Sequence, residues 1–401
     1  MSNRKPKVAM LADFPYREDD LFRGGVMQAN YWLVKALAKQ EGLDLFVLTP
    51  TRAAKREETR DEGRASIHFF SPQNEGYDTL LLYSDLRRRF NSLLFEIQPD
   101  LVHAQATPSY ILTALCGKWP SIVTIHGIYR NELRVIKSRT SPRERLAHWI
   151  VSRIEAYNFT KICNLIAITS EIESTVQRHA PEARIFRVNN PIDEHFFTIE
   201  TTPAQPVVLF VGWISYRKGV HLLLDAFEKL CTSSPTAQLR LIGSEEMDPG
   251  YGAFLRTRHA RLVREGRVFF LGRISQERLY KELSQACVIC LPSLAESAPM
   301  VIAQSMAAAK PVVATTVGGV ADMVKDGVTG RLCPPNDSLR LAECLGELLQ
   351  NPLRCLEMGV NARGIARQRY HPDSVAKATI AAYLEVIESN GRGQSGSQIH
   401  G

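Results

Sequence analysis

The segment Leu291–Thr316, LPSLAESAPMVIAQSMAAAKPVVATT, places one carboxylate, Glu296, between an apolar strand-like run and an alanine-rich stretch. A carboxylate at such a corner can bind sugar hydroxyls, or face positive charge as it develops at a sugar carbon. Pro299 suits the first turn of a helix and Pro311 stops one, so a helix of about three turns is predicted over Ala298–Ala309. Its N-terminus, at Ala298, Pro299, Met300 and Val301, would offer unpaired N–H groups and positive dipole, which suits a phosphate. Gln304 in the second turn is the only amide of this small, apolar stretch, and it can donate and accept. As mere surface features the two polar residues would be a cap-side charge and a solvated amide.

Three further corners have related chemistry. In LADFPYREDDLFRGGVMQANYWLVKAL a strand ends near Phe14, and Gly24-Gly25 immediately precede a helix. Paired glycines let backbone N–H groups approach a ligand closely, although a plain turn accounts for the pair equally well. In VLFVGWISYRKGVHLLLDAF a strand is followed by Gly212, a short loop and Arg217-Lys218-Gly219 at a helix start. A lysine there can reach an anion, with Arg217 as a forked donor; taken alone, both would be solvated basic residues. In PVVATTVGGVADMVKDGVTGRL the pair Gly318-Gly319 makes another strand–glycine–helix corner.

The elements that must position these residues follow one pattern. In the first half the strand candidates are KVAMLADF, LDLFVLT, SIHFF, DLVHA, SIVTIHG, NLIAITS and ARIFRVN. Amphipathic stretches lie between them, such as Val26–Lys39, Leu81–Glu96 and Arg143–Asn158. Continuous apolar strands alternating with helices indicate an α/β architecture, with a parallel sheet covered on both faces. The pattern restarts after FFTIETTPAQP with VVLFVGW, AQLRLIGS, VFFLGR, ACVICLPS, PVVATT and GRLCPP. Two doubly wound domains are predicted, residues 1–198 and 199–372, with a crevice between facing strand ends as the default ligand site. Helices follow at Leu339–Leu349, Pro352–Arg369 and Asp373–Glu388, with residues 391–401 as a disordered tail. Thr51–Ala65, TRAAKREETRDEGRA, is predicted as a charged surface loop or frayed helix.

Composition bounds the function. The 401 residues are 45% hydrophobic and 23% charged, with a net charge of +7, which is ordinary for a water-soluble chain of two domains. The apolar run in MSNRKPKVAMLADF stops at Asp13, too early for a signal-peptide core. No stretch approaches the ~18 apolar residues that a membrane span needs, so a cytoplasmic protein is expected. Cys287 and Cys290 are the close pair among eight scattered cysteines, in a strand whose positions three apart face opposite sides. Buried structural thiols are therefore expected there rather than a metal or redox pair. Residues 130–161 hold eight basic residues, Arg130, Arg134, Lys137, Arg139, Arg143, Arg145, Arg153 and Lys161, against Glu132, Glu144 and Glu155. With Trp149, Ile150 and Tyr157 among them, this segment could rest on an anionic membrane surface; a solvated helix face is the plainer alternative. No nucleic-acid module or aromatic stacking platform is present, so no nucleic-acid partner is expected.

Taken together these segments resemble the retaining family-4 nucleotide-sugar glycosyltransferases of GT-B fold, over about residues 5–390. The most specific piece is Ser293–Gly330, which looks like the family's E-x7-E segment followed by PVVAT and a GG corner. Gly24-Gly25 with its helix, VTIHG around His126, RVNNPID from Arg187 to Asp193, and FVGWISYRKGV also match. The resemblance implies two Rossmann-like domains, with the nucleotide sugar on the second and a last helix crossing back to the first. It implies that Lys218, with Arg217, stabilises the departing diphosphate and that Glu296 contacts the donor sugar. Position 304 would meet the ribose, Gly24 and Gly25 the phosphates, and His126 the donor sugar, while Gly212 opens the phosphate loop. It also implies transfer of a sugar to an acceptor hydroxyl with retention, in polysaccharide or glycolipid biosynthesis. The donor would be a nucleoside-diphosphate sugar, UDP favoured over GDP. The acceptor would be a carbohydrate or a lipid-linked one, met at the inner face of the membrane by a peripheral enzyme.

No metal or other cofactor is expected. The sequence has no strict D-x-D, and Glu18-Asp19-Asp20 is the nearest acidic cluster. Two residues depart from the family. Gln304 stands where glutamate is usual, and Trp213 follows Gly212 where arginine is usual. They keep open a second reading, a catalytically weakened nucleotide-sugar-binding scaffold. A third, an epimerase or dinucleotide oxidoreductase on a similar sheet, is disfavoured because no G-x-G-x-x-G follows the first strand.

Overall fold

The computed structural model describes residues 4–72, 82–105, 108–136, 142–200 and 206–396. The chain divides into two units. The first comprises Met1–Leu133, Lys137–Pro191 and Pro372–Gly401; the second comprises Arg134–Ile136 and Ile192–His371.

The first unit is built on β1 (Lys7–Leu11), β2 (Asp44–Pro50), β3 (Glu58–Glu62), β4 (Ala65–Phe70), β5 (Leu101–Gln105), β6 (Ser121–Ile125), β7 (Asn164–Ala167) and β8 (Arg184–Arg187). Their order in the sheet is β3-β4-β2-β1-β5-β6-β7-β8. All neighbours are parallel except β3 and β4. Parallel strands need helical crossovers, which cover both faces of the sheet and leave β1 almost wholly apolar, with Val8, Ala9, Met10 and Leu11 fully buried. The direction of winding reverses between β1 and β5, the position at which sheets of this kind take their ligands. The helix Pro372–Gly396 returns to this unit, packing Ala376, Ala382, Tyr383 and Val386 into the same core as Val34 and Leu37 of the helix Gly25–Ala38.

The second unit repeats the scheme with β9 (Val207–Val211), β10 (Gln238–Ile242), β11 (Val268–Gly272), β12 (Val288–Leu291), β13 (Val312–Thr315) and β14 (Gly330–Cys333). The order is β11-β10-β9-β12-β13-β14, all parallel, and the winding reverses between β9 and β12. The helices Val220–Ser233 and Ser338–Gln350 pack on each other over this sheet. Cys290 is buried in β12, Cys287 precedes that strand, and all eight cysteines are free thiols.

Several local expectations are corrected. Within Thr51–Ala65, Glu58–Glu62 forms an antiparallel edge strand rather than a loop or frayed helix. Arg60 lays its guanidinium over the rings of Tyr16 and Phe69, which compensates for the lack of apolar side chains in that strand. The first strand stops at Leu11 rather than Phe14, because Phe14 turns its N–H to the Thr49 hydroxyl at 3.1 Å. The second unit begins at Ile192 rather than 199: Phe196 and Phe197, read as linker, are buried against Tyr280 and His371. Residues 201–205 of that linker lie outside the described residues. The last helix continues through 391–396, within the predicted tail; 397–401 lie outside the described residues.

Candidate active site at the strand ends

Glu296 and Lys218 are 78 positions apart in sequence and form a contact because β9 and β12 are neighbours at the reversal of the second sheet. Lys218 lies in the loop that leaves β9, in a single 3-10 turn, Tyr216–Lys218, capped by Gly219. Gly219 has φ of +65°, and a Cβ there would sit 2.0 Å from the carbonyl oxygen of Pro292. Only glycine lets the two loops close to this distance, and the Leu294 N–H to Arg217 carbonyl bond of 2.8 Å ties them together. Glu296 follows β12. The helix after it is shorter than expected: it runs Met300–Ala307, with Pro299 in an extended conformation just outside it and Ala298 before that. The helix ends at Ala308–Ala309, where Ala309 has φ of +54°, ahead of Pro311.

Lys218 Nζ donates to Glu296 Oε1 at 2.5 Å, and the Ser293 hydroxyl donates to the same oxygen at 2.7 Å. Arg217 Nη1 lies 3.8 Å from Glu296 Oε2 and donates to the Ala295 carbonyl at 3.0 Å. The side chains of Glu296 and Lys218 are only 6% and 12% exposed. Burial pushes the Glu296 carboxyl upward, but the charges of Lys218 and Arg217 with the Lys218 and Ser293 hydrogen bonds outweigh it and hold the group below the usual carboxylate range. Glu296 is therefore an anion at neutral pH inside a poorly solvated pocket. Its neighbour Ser297 has a buried hydroxyl with no hydrogen-bond partner among the described residues.

The remaining predicted residues of this unit lie on the same two loops and on the short helix that follows Glu296. Gly212 and Trp213 begin the loop carrying Lys218, Met300 and Val301 form the first turn of the short helix, and Gly319 donates its N–H to the Ser297 carbonyl at 3.0 Å. Gln304 is buried, contrary to a surface assignment, with 7% of its area exposed. Ser293 was not anticipated. Its hydroxyl reaches Glu296 while its carbonyl accepts from Thr315 Oγ1 at 2.5 Å, which fixes the loop to β13.

In the first unit Gly24 precedes and Gly25 opens the helix Gly25–Ala38, after the loop from β1, and His126 directly follows β6. Between those strands β5 ends in Gln105, and His126 Nε2 is 2.7 Å from Gln105 Oε1. Burial lowers His126 to about 4, so the ring is neutral. Asp13, at the end of β1, was also unforeseen. Burial raises its carboxyl, partly offset by the Tyr110 hydroxyl that donates to it at 2.6 Å.

A buried ion pair with one partner removed leaves an uncompensated charge, whereas removing both leaves packing. Lys218→Met is therefore expected to lower stability by about 3 kcal/mol, and Lys218→Met/Glu296→Leu to recover most of that loss. Denaturant unfolding of the single and double variants measures the cycle; strictly additive losses would contradict the coupling.

Two family models match the chain, glycosyltransferase family 4 over residues 23–196 and glycosyl transferases group 1 over residues 191–365. Among curated relatives, the alpha-D-kanosaminyltransferase of Streptomyces kanamyceticus is 25% identical over 297 residues, 71% of this chain and 75% of that protein. The phosphatidyl-myo-inositol mannosyltransferase of Mycobacterium leprae is 32% identical over 192 residues, 47% of this chain and 49% of that protein. Among solved structures, sucrose-phosphate synthase from Thermosynechococcus elongatus superposes with a TM-score of 0.77 at 20% identity, covering 96% of this chain and all of that one. HepE of Anabaena in complex with UDP-glucose superposes with a TM-score of 0.69 at 20% identity, covering 95% and 99%. With two parallel-sheet units of this topology and both models matched in chain order, the protein belongs to the family-4, group 1 glycosyltransferases and has the GT-B fold.

Proposed function

We propose that this glycosyltransferase moves a hexose from a nucleoside-diphosphate sugar to an acceptor hydroxyl with retention of anomeric configuration, in polysaccharide or glycolipid biosynthesis. The observation that carries the proposal is the buried Glu296–Lys218–Arg217 cluster at the β9–β12 reversal. Breaking the anomeric C–O bond puts negative charge on the departing diphosphate and positive charge on the sugar. Lys218, Arg217 and the N–H groups at the start of the Met300–Ala307 helix offset the first charge, and the Glu296 carboxylate faces the second. Retention follows when the leaving phosphate takes the acceptor's proton, so that the new bond forms on the face the old one left. These fixed cations and dipoles supply the charge that a metal would otherwise bring, and the proposed reaction runs without one.

The ligand-free pair has a consequence for the donor. Lys218 is held by Glu296, and a diphosphate must compete for the same ammonium. Arg217 stands near enough to take part of the load that the arginine missing at Trp213 would carry, which favours an active enzyme over the weakened scaffold. UDP is the favoured base-diphosphate and GDP the second; the UDP-glucose bound by HepE, a protein of the same fold, supports that order. Gln304, in the second turn of the same helix, would bond a neutral hydroxyl of the ribose; an amide can donate and accept.

Glu296→Gln and Lys218→Ala are expected to cut turnover by about 100-fold or more, with Glu296→Gln binding UDP at least as tightly as the unaltered chain because Lys218 is freed. A thermal-shift screen of nucleotide sugars finds the donor, since a ligand at 100 times its Kd adds about 2.7 kcal/mol. Turnover at unaltered rates in both variants would remove the cluster from the chemistry.

The acceptor side carries a second feature. On the helix Pro142–Phe159, Leu146, Trp149, Arg153 and Tyr157 are spaced by three, four and four residues and share one exposed face, at 59% for Leu146, 61% for Trp149 and 53% for Tyr157. Arg145 and Lys161 flank it, while Glu155 turns away to accept the N–H groups of Tyr129 and Arg130. Lys137 and Arg139 lie outside the described residues. No helix among the described residues is long and apolar enough to cross a membrane. A basic face with exposed aromatic rings fits the surface of an anionic bilayer, where a lipid-linked acceptor would be met. Sedimentation with phosphatidylglycerol vesicles is expected for the unaltered chain, with loss on Trp149→Glu/Arg153→Glu; equal partition onto phosphatidylcholine would refute the charge-driven contact.

A further inference from the structure

His103 and Gln105 alternate along β5, so their side chains leave the same face of the strand, and a chain of polar groups runs through them. Tyr383, on the returning helix Pro372–Gly396, places its hydroxyl 2.6 Å from His103 Nδ1. His103 Nε2 is 2.7 Å from Thr124 Oγ1 and 3.3 Å from Gln105 Nε2, and Gln105 Oε1 is 2.7 Å from His126 Nε2. His103, Thr124, Gln105 and Tyr383 are all buried, so every proton in the chain has to be placed by a neighbour rather than by water. At the far end His126 Nδ1 is buried and has no hydrogen-bond partner among the described residues.

An amide can present its oxygen to only one of two imidazoles and its NH2 to the other, so Gln105 fixes the direction of the whole chain. With its oxygen toward His126, the His126 Nε2–H donates and Nδ1 has a free lone pair. Gln105 NH2 and the Thr124 hydroxyl then donate to His103 Nε2, and His103 Nδ1–H donates to the Tyr383 oxygen. Turning the amide over would reverse each bond. It would leave both the Thr124 hydroxyl and a His126 Nδ1–H as buried donors without acceptors among the described residues, against the Tyr383 hydroxyl alone in the arrangement observed. Buried N–H groups without partners are the rarer and costlier defect.

We propose that Gln105 is a positioning residue that, backed by His103 and Tyr383, locks His126 in the Nε2–H tautomer, so that Nδ1 accepts a hydrogen bond from a hydroxyl of the sugar substrate. The last clause rests on the glycosyltransferase reading above; the tautomer does not. It follows that the returning helix influences sugar recognition without touching the sugar: its Tyr383 ends the chain that sets the acceptor character of His126.

Long-range nitrogen–proton NMR on histidine-labelled, ligand-free protein reads the tautomer directly and needs no substrate. The Nε2–H form is expected at His126 in the unaltered chain, a mixture of tautomers in Gln105→Leu, and restoration in Gln105→Glu, which again offers oxygen to Nε2–H. Finding Nδ1–H in the unaltered chain, or no change in Gln105→Leu, would overturn the lock. Kinetics test the second half: Gln105→Leu should lower kcat/KM by about five-fold, the worth of one neutral hydrogen bond, and should cost nothing further in a His126→Ala background. Full additivity of the two losses would show that Gln105 does not act through His126. Should Gln105→Leu fail to fold, Tyr383→Phe in the same two measurements takes its place, with a smaller shift in the same direction. A confirmed tautomer with no kinetic effect would retract the hydroxyl contact.

Discussion

A carboxylate and an ammonium held together out of water are the constraint around which the second unit is arranged. Each charge would be costly to bury alone, and each is tolerable because the other lies 2.5 Å away. That proximity demands that two loops leaving adjacent strands approach more closely than side chains allow. It is met by Gly219 against Pro292 and by the backbone bond between Leu294 and Arg217. The pair sits where the winding of the sheet reverses, between β9 and β12, the point at which ligands bind in open sheets of this kind. Fold and chemistry are thus linked: the sheet's change of direction makes β9 and β12 neighbours, and the loops leaving them bring the two charges together.

The first unit follows a different electrostatic principle. Its buried imidazoles are kept uncharged by burial, His103 at about 3 and His126 at about 4, and they are organised by direction of hydrogen bonding rather than by charge. A sugar offers neutral hydroxyls, for which an oriented lone pair suffices, whereas a diphosphate needs cations and dipoles. Each unit thus keeps its own kind of buried polar group at its strand ends, a neutral hydrogen-bonded chain in the first and an ion pair in the second.

Much of this was legible in the sequence, for physical reasons that vary with the element. Continuous apolar runs such as KVAML and VVLFV gave away parallel strands because both faces of each are covered. Glu296, Lys218 and Gln304 stood out as polar residues in apolar or glycine-rich corners; the structure joins the first two in one ion pair and buries Gln304 in the helix that follows Glu296. The edge strand Glu58–Glu62 was hidden because it is polar throughout and is held by pairing with β4 and by Arg60 stacked on aromatic rings. Pro299 read as a first-turn residue but serves as an extended entry to a helix of eight residues, since the loop must still carry Glu296 and Ser297 toward the strand ends. Ser293 and Gln105 do not stand out in the sequence by themselves. The signals were present: a serine three residues before the key acid, and a glutamine two residues after a histidine on the same strand face. Neither acquires meaning until the partner strand is placed beside it.

The central claim is that Lys218 passes from Glu296 to the diphosphate when donor binds. Carbon-detected NMR titration of the Glu296 carboxyl, with and without saturating UDP, measures this directly. The account predicts that UDP raises the carboxyl's pKa, because the ammonium that stabilises its charge is drawn away and an anion is added nearby. A carboxyl whose titration is unmoved while UDP is bound would contradict it.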